Sequence, residues 1–327
     1  MFYLPTNSND ATKLFALEEW VAKQNWGETT LLLWSTIPTI MIGKYQDALA
    51  EVNLAMAEQH HLAVTRRKSG GGTIYTDPGS LQYSLIAPKV GQAIDFDRFL
   101  NLICKAFHRM GVPVERSDRN DLLLKGRKFS GNAQYNLNGY VIHHGSLLFD
   151  TDLDTMTVAL QVDKLKLISK HISSVHQRVI NLKAALPYLD TETFKQQFLN
   201  ELDQLVGGLK IRHLTPPQEA AVAEISFATF ANPAFIYDKV PSTLITKKRY
   251  FPGGGLVKLS IAVDHGILYD LKITGDFFSN LDPNQLTKAL LGRPFRPDQI
   301  RPQLTAILSK TPIYHIRVDD LIDLLFG

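Results

Sequence analysis

The chain is nearly free of cysteine: Cys104 is the only one among its 327 residues, so no disulfide can form within it. It has no apolar run approaching the roughly 18 residues of a membrane-spanning helix. The first ten residues lack the basic and then apolar segments of a secretory signal. With 45% apolar and 20% charged residues, we expect a globular protein of the cytoplasm that does not associate with membranes.

The chain also lacks a strong net charge and the two common glycine-rich phosphate motifs. Its formal charge is only +3, without the clustered basic face that nucleic-acid binding calls for, so we expect no nucleic-acid partner. Neither G-x-x-x-x-G-K-[ST] nor G-x-G-x-x-G occurs with the required spacing, which excludes a Walker A loop and a dinucleotide fingerprint.

The most distinctive stretch that is present is Thr65–Tyr83, TRRKSGGGTIYTDPGSLQY. Three cations, Arg66 to Lys68, precede three glycines, Gly70 to Gly72. Glycine lets the backbone turn sharply and lets a ligand come close, and arginine offers a fork of donors to phosphate or carboxylate. By itself the pattern favours equally an anion site and a β-hairpin loop with solvated charges.

A second polar stretch, Asp118–Gln134, contains Lys128 after a turn glycine and before Ser130 and Gly131. A lysine on a strand beside an apolar pocket suits a phosphate or carboxylate. This stretch alone favours an ordinary hairpin with exposed cations. Asn120 and Asp121 either contact a ribose or a metal-bound phosphate, or simply begin a strand.

Two adjacent histidines, His143 and His144, lie in the predicted strand Val141–Phe149. Neighbouring strand residues point to opposite faces, so the pair does not form a zinc site; we expect one ring to face a cleft and the other to pack inside. Cys104 lies on the apolar stripe of a predicted helix, which favours a core thiol over a nucleophile.

Hydrophobic periodicity predicts a mixed α/β chain with a small α+β unit after a linker near residues 238–247. Helices are predicted at Thr12–Gln24, Ala48–His60, Asp95–Met110, Thr155–Val162, Glu192–Leu205, Asn284–Leu291 and Asp298–Ser309. Strands are predicted at Leu31–Trp34, Thr39–Ile42, Leu81–Ala87, Asp121–Lys125, Lys128–Tyr135, Val141–Phe149, Leu256–Val263 and Ile267–Ile273. Gly207-Gly208 and Pro216-Pro217 predict loops.

Five motifs in this order resemble those of the lipoate–protein ligases: RRKSGGGTIYTD, DRNDLLL, RKFSGNAQ, HHGSLLFD and SVHQRVINL. The stretch KKRYFPGGGLVKLSIAVDHGILYDLKITGDFF resembles the family's small C-terminal accessory domain. The resemblance covers nearly the whole chain. It implies a biotin-ligase and class II synthetase-like catalytic domain over residues 1–243, with its core at about 27–215, and an accessory domain over 244–327.

The resemblance also implies a reaction. The enzyme would convert lipoate and ATP, with Mg²⁺, to lipoyl-AMP and pyrophosphate, and would pass the lipoyl group to a lysine of an acceptor domain. Such acceptors are the glycine cleavage H protein and the E2 subunits of 2-oxoacid dehydrogenases. We expect the enzyme to be a monomer. In the family the C-terminal domain is thought to swing after adenylation, which the run Gly253–Gly255 would permit.

Roles for individual residues follow from the same resemblance. Lys128 is the expected catalytic residue and would hold the lipoate carboxylate and then the adenylate, while Arg67 is the expected clamp on phosphate or carboxylate. Asp121 would contact the nucleotide or Mg²⁺. The other expected substrate- and nucleotide-binding residues are Ser69, Gly70, Gly71, Gly72, Thr73, Ile74, Tyr75, Asn120, Ser130, Gly131, His144 and Gly145. An apolar tunnel near Gly43 and Ser69–Tyr75 would take the dithiolane tail.

The chain departs from the family's pattern at several positions, among them Thr76, Tyr140, His176 and Phe235. These departures suggest a divergent ligase with a narrowed acceptor or acyl range. One alternative is a lipoyl or octanoyl transferase, for which Cys104 is the only available nucleophile. A non-catalytic protein that binds lipoate or a partner is another, and the motifs fit a biotin ligase less well.

Overall fold

The structure is a computed structural model, and it describes residues 1–52, 54–91, 94–117, 119–160, 178–237, 245–264 and 266–326. We call residues 1–237 the N-terminal region and residues 245–326 the C-terminal region. Within the described residues, no helix combines the length and the apolar character needed to cross a membrane.

A mixed eight-stranded sheet forms the centre of the N-terminal region. Its strands are β1 (Phe2–Tyr3), β2 (Thr30–Trp34), β6 (Ser80–Pro88), β7 (Glu115–Arg116), β8 (Asp121–Leu124), β9 (Arg127–Leu137), β10 (Tyr140–Leu148) and β11 (Lys210–Ile211), in the order β11-β1-β2-β6-β10-β9-β8-β7. The neighbours are antiparallel, except that β1 runs parallel to β2 and β11.

Both faces of this sheet are covered by helices, so its central strands are buried on both sides. Alternate residues of β2 show this: Leu31 and Leu33 join one hydrophobic cluster, while Leu32 and Trp34 join another. The first cluster includes apolar residues of the helices Asp97–Arg109 and Thr191–Leu205, and the second includes those of Ala11–Gln24 and Pro216–Ile225. Buried strands of this kind have near-continuous apolar runs, as in LLLW.

A three-stranded sheet carries the glycine-rich stretch. It consists of β3 (Thr39–Ile42), β4 (Ala63–Arg66) and β5 (Ile74–Thr76), with β3 in the centre, parallel to β4 and antiparallel to β5. The glycines lie in the connection between β4 and β5. Short helices at Ala48–Glu51, Leu54–Gln59 and Leu153–Ala159 contribute to its apolar cluster.

The C-terminal region has an antiparallel sheet of β12 (Ile245–Phe251), β13 (Gly255–Asp264) and β14 (Ile267–Gly275). Helices at Pro283–Leu290, Pro297–Leu308 and Val318–Phe326 complete its hydrophobic cluster. Tyr45 of the N-terminal region belongs to this cluster, whereas Phe278 belongs to the cluster that contains Leu31. Each region therefore inserts a buried aromatic side chain into a cluster of the other region.

The fold class expected from the sequence is confirmed, but two local predictions need correction and one helix was missed. Pro216 begins a helix instead of a loop, because the first turn of a helix tolerates the missing N–H, and Thr215 with Gln218 forms a capping box. Ile245–Lys247 belongs to β12 and not to a linker. The terminal helix Val318–Phe326 escaped prediction. The rest of the predicted linker, the proposed boundary at 243/244 and His176 lie outside the described residues.

Candidate functional site

Two adjoining cavities lie between the glycine-rich connection and the strands β8, β9 and β10. Their volumes are about 70 and about 160 Å³. The first is bordered by Phe15, Trp34, Met41, Arg67, Gly71, Gln82, Asn132, Ala133, His144 and Gly145. The second is bordered by Glu51, Thr73, Tyr75, Arg119, Asp121, Phe129, Ser130, Leu148, Met156, Leu160, Arg178, Val179 and Asp276. Both are bordered by Gly72, Ile74, Asn120, Lys128, Gly131, Ser146 and Phe278.

Lys128 lies where the two cavities meet. Its Nζ is 2.7 Å from Asp121 Oδ1, and Arg178 Nη2 lies 4.0 Å from the other oxygen of that carboxylate. Burial lowers the pKa of Lys128, and the charge of Arg178 adds to the effect while Asp121 opposes it. An anion placed at this junction would gain a partly desolvated cation, which interacts more strongly than one in bulk water.

Gly131 is part of the wall beside this lysine. A Cβ built on it would lie 2.7 Å from Lys128 Nζ, so a side chain here would force the ammonium group to move. The antiparallel pairing of β8 with β9 sets Gly131 opposite Asp121, and that of β9 with β10 sets it opposite Ser146. The register of three strands thus brings the DRND, KFSG and HHGS motifs to one place.

Arg67 is committed largely to the protein backbone. Its guanidinium donates to the carbonyl oxygens of Met41, Gly70 and Gly72 at 2.7–3.0 Å and to Ser69 Oγ at 3.2 Å. Burial lowers its pKa to about 10, which leaves it charged at neutral pH. Arg67 therefore shapes the glycine-rich connection from within, and its role as an anion clamp stays a prediction.

The glycine run lies directly against the C-terminal region. A Cβ on Gly70 would be 2.2 Å from the carbonyl oxygen of Phe277, and Gly71 donates its N–H to that oxygen at 3.2 Å. Gly71 also has φ +91, a conformation that favours glycine. Close backbone approach is thus one reason for the glycines, as expected, but at Gly70 the approaching group is another part of the chain.

His144 borders the first cavity at the end of a buried hydrogen-bonded chain. Its Nδ1 lies 3.0 Å from both oxygens of Glu18, and its Nε2 lies 2.6 Å from Ser69 Oγ. Against a carboxylate acceptor the Nδ1–H of His144 donates, and Nε2 then pairs with the hydroxyl of Ser69. Ser69 in turn accepts from Arg67, so this chain fixes the glycine-rich connection.

Glu18 was missed by the sequence analysis. It lies on the helix Ala11–Gln24, four residues after Leu14 on the side that faces the core, and is 0% exposed. An acidic residue at an apolar helical position was the available signal.

His143, which precedes His144 on β10, is buried on the opposite face of the strand, as strand alternation predicted. Its ring stacks on that of Phe99, with the ring centroids 4.8 Å apart.

The remaining expected residues are also near the cavities. Thr73, Ile74, Tyr75, Ser130 and Gly131 border the second cavity, and Gly145 borders the first. Asn120 exchanges hydrogen bonds with Asn132 across β8 and β9: each side-chain amide donates to the other residue's carbonyl.

The sequence analysis also assigned no site position to Arg119, Asp276 and Phe278, yet all three border the second cavity. Asp276 and Phe278 belong to the C-terminal region. Nothing in the sequence of residues 275–278 (GDFF) indicated that these residues would border a cavity of the N-terminal region.

Three of the departures from the family's pattern, at Thr76, Tyr140 and Phe235, do not border either cavity, whereas others, at Thr73, Gln82 and Ser146, do. Thr76 is fully buried and its hydroxyl lies 2.7 Å from that of Thr36. The hydroxyl of Tyr140 accepts from the N–H of Gly27 at 2.7 Å. The carbonyl of Phe235 accepts from Arg66, whose side chain also binds the backbone near Gly43.

Cys104 is buried in the helix Asp97–Arg109 and borders neither cavity. Burial raises the pKa of its thiol. A protonated thiol outside the cavities does not suit a transferase that needs a cysteine nucleophile.

Comparison with known proteins identifies two matching family models. The Lipoyl protein ligase A/B catalytic domain matches residues 10–203, and the Bacterial lipoate protein ligase C-terminus matches residues 241–325. Lipoate-protein ligase LplJ of Bacillus subtilis is 33% identical over 325 residues, which cover 98% of each chain.

Solved structures share the fold. P. falciparum LipL1 in complex with lipoate has a TM-score of 0.75 at 20% identity and covers 93% of this chain and 94% of its own. A lipoate-protein ligase A bound with ATP has a TM-score of 0.62 at 17% identity and covers 72% of this chain and 96% of its own.

Proposed function

The chain belongs to the lipoate–protein ligase family, and we propose that it activates lipoate with ATP and transfers the lipoyl group to a lysine of an acceptor protein domain. The observation that carries this proposal is the position of Lys128 at the junction of two cavities. One cavity has aromatic and aliphatic walls. The other contains a cluster of cations and carboxylates.

The two cavities match the two halves of an acyl adenylate. Phe15, Trp34, Met41 and Ile74 give the first cavity the apolar surface that a dithiolane tail requires. Arg119, Arg178 and Lys128 give the second cavity cations that can contact a nucleotide's phosphates, beside the carboxylates of Glu51, Asp121 and Asp276. The bond between the acyl group and AMP would then lie beside Lys128.

Chemistry explains why a cation is needed there. In the first step an oxygen of the lipoate carboxylate attacks the α-phosphorus of ATP, and pyrophosphate leaves with the electron pair of the broken P–O bond. Lys128 would offset the repulsion between the two anions. In the second step the neutral amine of the acceptor lysine attacks the acyl carbon, AMP leaves with the electron pair of the broken C–O bond, and the nitrogen releases one proton to solvent as the amide forms. No covalent enzyme intermediate is required.

Mg²⁺ would be held mainly by the phosphates of ATP. Among the residues the structure describes, no group of three His, Cys, Asp or Glu side chains is placed to hold a metal ion by itself. Asp121 borders the second cavity but is paired with Lys128. A single carboxylate together with phosphate oxygens suits Mg²⁺, which keeps most of its waters, and the ion would supply further charge neutralisation.

The acceptor class is also part of the proposal. An H protein or an E2 lipoyl domain would present its lysine at the cavity junction. The departures at Thr76, Tyr140 and Phe235 lie outside both cavities, so they do not narrow the acyl range through direct contact. A narrowed acceptor or acyl range stays part of the proposal, and a panel of H and E2 domains with equal modification rates would contradict a narrowed acceptor range.

The test of the proposal is lipoate-dependent exchange of pyrophosphate into ATP. The purified protein should catalyse this exchange. Lys128→Ala should lower the exchange rate by at least about 100-fold, because the substitution removes a charged contact in a desolvated site. The control is Lys105→Ala, which removes an exposed lysine from a helix remote from both cavities. Wild-type protein that binds lipoate but shows no exchange would instead support a non-catalytic binding protein.

A further inference from the structure

Asn120 has an amide oxygen available at the junction of the two cavities. The residue is 7% exposed and, like Lys128, borders both cavities. Its Nδ2 donates to the carbonyl oxygen of Asn132, so its Oδ1 lies at the other end of the planar amide. This Oδ1 retains accessible surface and accepts no hydrogen bond from any residue that the structure describes. Asn120 therefore offers a hydrogen-bond acceptor to a substrate at the junction.

Buried hydrogen bonds hold this amide in one orientation. Asn132 Nδ2 donates to the carbonyl oxygen of Asn120 at 2.8 Å, so the two residues are linked in both directions. The hydroxyl of Tyr83 donates to Asn132 Oδ1 and thereby fixes which end of that amide meets Asn120. Gly145 lies between Tyr83 and Asn132 in the sheet, and a Cβ on it would be 2.2 Å from Asn132 Oδ1. The position of Asn120 Oδ1 is thus set before a substrate binds, which is what stabilisation of a transition state requires.

An acceptor oxygen suits only one of the reacting groups at this junction. In the first step the lipoate carboxylate and the α-phosphate bring acceptor oxygens, for which Lys128 supplies N–H donors. The carbonyl and phosphate oxygens of the acyl adenylate are acceptors as well. The amine of the acceptor lysine, which attacks in the second step, is the reacting group that carries N–H donors.

We infer that Asn120 Oδ1 accepts a hydrogen bond from the attacking amine of the acceptor lysine and so directs the nitrogen lone pair at the acyl carbon. The nitrogen becomes positively charged as the C–N bond forms, so this hydrogen bond is stronger in the transition state than before the attack. AMP then leaves with the electron pair of the broken C–O bond, and the nitrogen releases one proton to solvent. The inference rests on the proposed function and gives Asn120 a role in the second step that contact with the nucleotide alone does not require.

The test measures the two steps separately. Pyrophosphate exchange reports the first step, and mass spectrometry reports the transfer from preformed lipoyl-AMP to an acceptor domain that the wild type modifies. Asn120→Ala should lower the kcat of transfer about 10- to 100-fold, the size expected for a hydrogen bond to a group that becomes charged, with an unchanged KM for the acceptor domain. Pyrophosphate exchange should change by no more than about threefold, because the first step brings no N–H donor to Asn120.

Asn232→Ala is the matched control. It also removes a side-chain amide that bonds to the backbone, since Asn232 Oδ1 accepts from the N–H of Ala234 at 2.9 Å, but Asn232 borders neither cavity. Neither step should change by more than about twofold in this variant, because both cavities keep their walls. Lys128→Ala should slow both steps, because Lys128 contacts the anions of both.

The inference is overturned if Asn120→Ala transfers the lipoyl group at the wild-type rate. It is also overturned if this variant loses as much pyrophosphate exchange as transfer, which would indicate a contact with the nucleotide. A wild-type protein that catalyses neither step would instead contradict the proposed function. If Asn120→Ala does not fold, the same measurements on Asn120→Ser decide the matter, because the serine hydroxyl ends one bond short of the position of Oδ1.

Discussion

Tyr45 stacks on Phe277 across the contact between the N-terminal and C-terminal regions, with ring centroids 4.4 Å apart and an angle of 21° between the planes. The hydroxyl of Tyr45 also donates to the carbonyl oxygens of Ser279 and Leu281, at 2.9 and 2.7 Å. The ring is 2% exposed and lies in the apolar cluster of the C-terminal region. The Tyr45 side chain thus contacts the chain that follows β14 through both its ring and its hydroxyl.

Replacement of Tyr45 should therefore weaken the contact between the regions. Tyr45→Ala should lower the free energy of unfolding by about 3–5 kcal/mol, because it leaves a cavity where a large ring was buried. Tyr45→Phe should cost only about 1 kcal/mol, since it removes the hydroxyl and keeps the ring. Urea denaturation of both variants checks this order, and equal losses would show that the ring's packing is not what matters.

Gly70→Ala should separate Phe277 from the glycine run. The new Cβ would lie 2.2 Å from a backbone oxygen, far inside contact distance, so the segment after β14 must move. We expect faster amide exchange at Gly71, whose N–H donates to that oxygen, and at least a tenfold loss of pyrophosphate exchange. Gly208→Ala is the control for backbone strain without collision, since its Cβ meets nothing within 4 Å and its φ of +106 disfavours alanine, whereas Gly70 has no such positive φ. If both variants lose the same amount of activity, the collision with Phe277 does not explain the effect.

The adjacent residues Glu18 and Glu19 allow the same substitution, glutamate to glutamine, to be compared at two positions. Glu18→Gln places an amide donor against Ser84 or His144, both of which donate to the native carboxylate, and should cost about 1–3 kcal/mol of stability. It should also slow pyrophosphate exchange, because His144 no longer holds Ser69 in place.

Glu19→Gln should cost about 1 kcal/mol or less, because Glu19 pairs with the partly exposed Lys23 and Lys68. Thermal unfolding and the exchange assay of the two variants test the difference. A larger loss for Glu19→Gln than for Glu18→Gln would contradict the importance of the buried chain.

The buried Lys44 should make the free energy of unfolding depend on pH in alkaline solution. Its ammonium group donates to the carbonyl of Leu281 at 2.9 Å, and burial lowers its pKa from 10.5 to about 8. Between these values the unfolded chain binds more protons than the folded one, so the contribution of Lys44 to stability rises with pH across that window. Below about pH 8 the cost of burying the charge is fully present.

The measurement is the free energy of unfolding from pH 7 to 10.5 for the wild type and for Lys44→Met. Other lysines and the tyrosines also titrate there, so the difference between the two curves is the relevant quantity. Across this pH range the free energy of unfolding of the wild type should rise by up to about 3 kcal/mol relative to that of Lys44→Met. A constant difference would mean that Lys44 titrates alike in the folded and unfolded chains.

The sequence predicted those parts of the site that are encoded locally. Gly71, Gly72, Lys128 and the pair Asn120 and Asp121 each stand in a short motif whose chemistry can be inferred from residue type, and all border the cavities, whereas Gly70 of the same run does not. Strand alternation likewise separated His143 from His144. Such inferences need no knowledge of distant partners.

Features that depend on distant pairing could not be predicted. Glu18 and its hydrogen-bond partner His144 are 126 positions apart in the sequence, and Arg119 and its partner Asp276 are 157 positions apart. Nothing in either local pattern indicates its partner. The loop predicted at Pro216 was wrong for a different reason, since this proline begins a helix. A proline that begins a helix and one that interrupts a helix differ only in the periodicity of the residues that follow.

The contact of Phe277 with Gly70 and Gly71 also has a consequence for synthesis on the ribosome. The glycine run, β8, β9 and β10 emerge well before residues 275–278, which supply Phe278 to the walls of both cavities. Because domains generally fold as they emerge, N-terminal part first, the nascent chain must form the large sheet while the cavities still lack this wall. We therefore expect the nascent protein to gain its full affinity for nucleotide only late in translation.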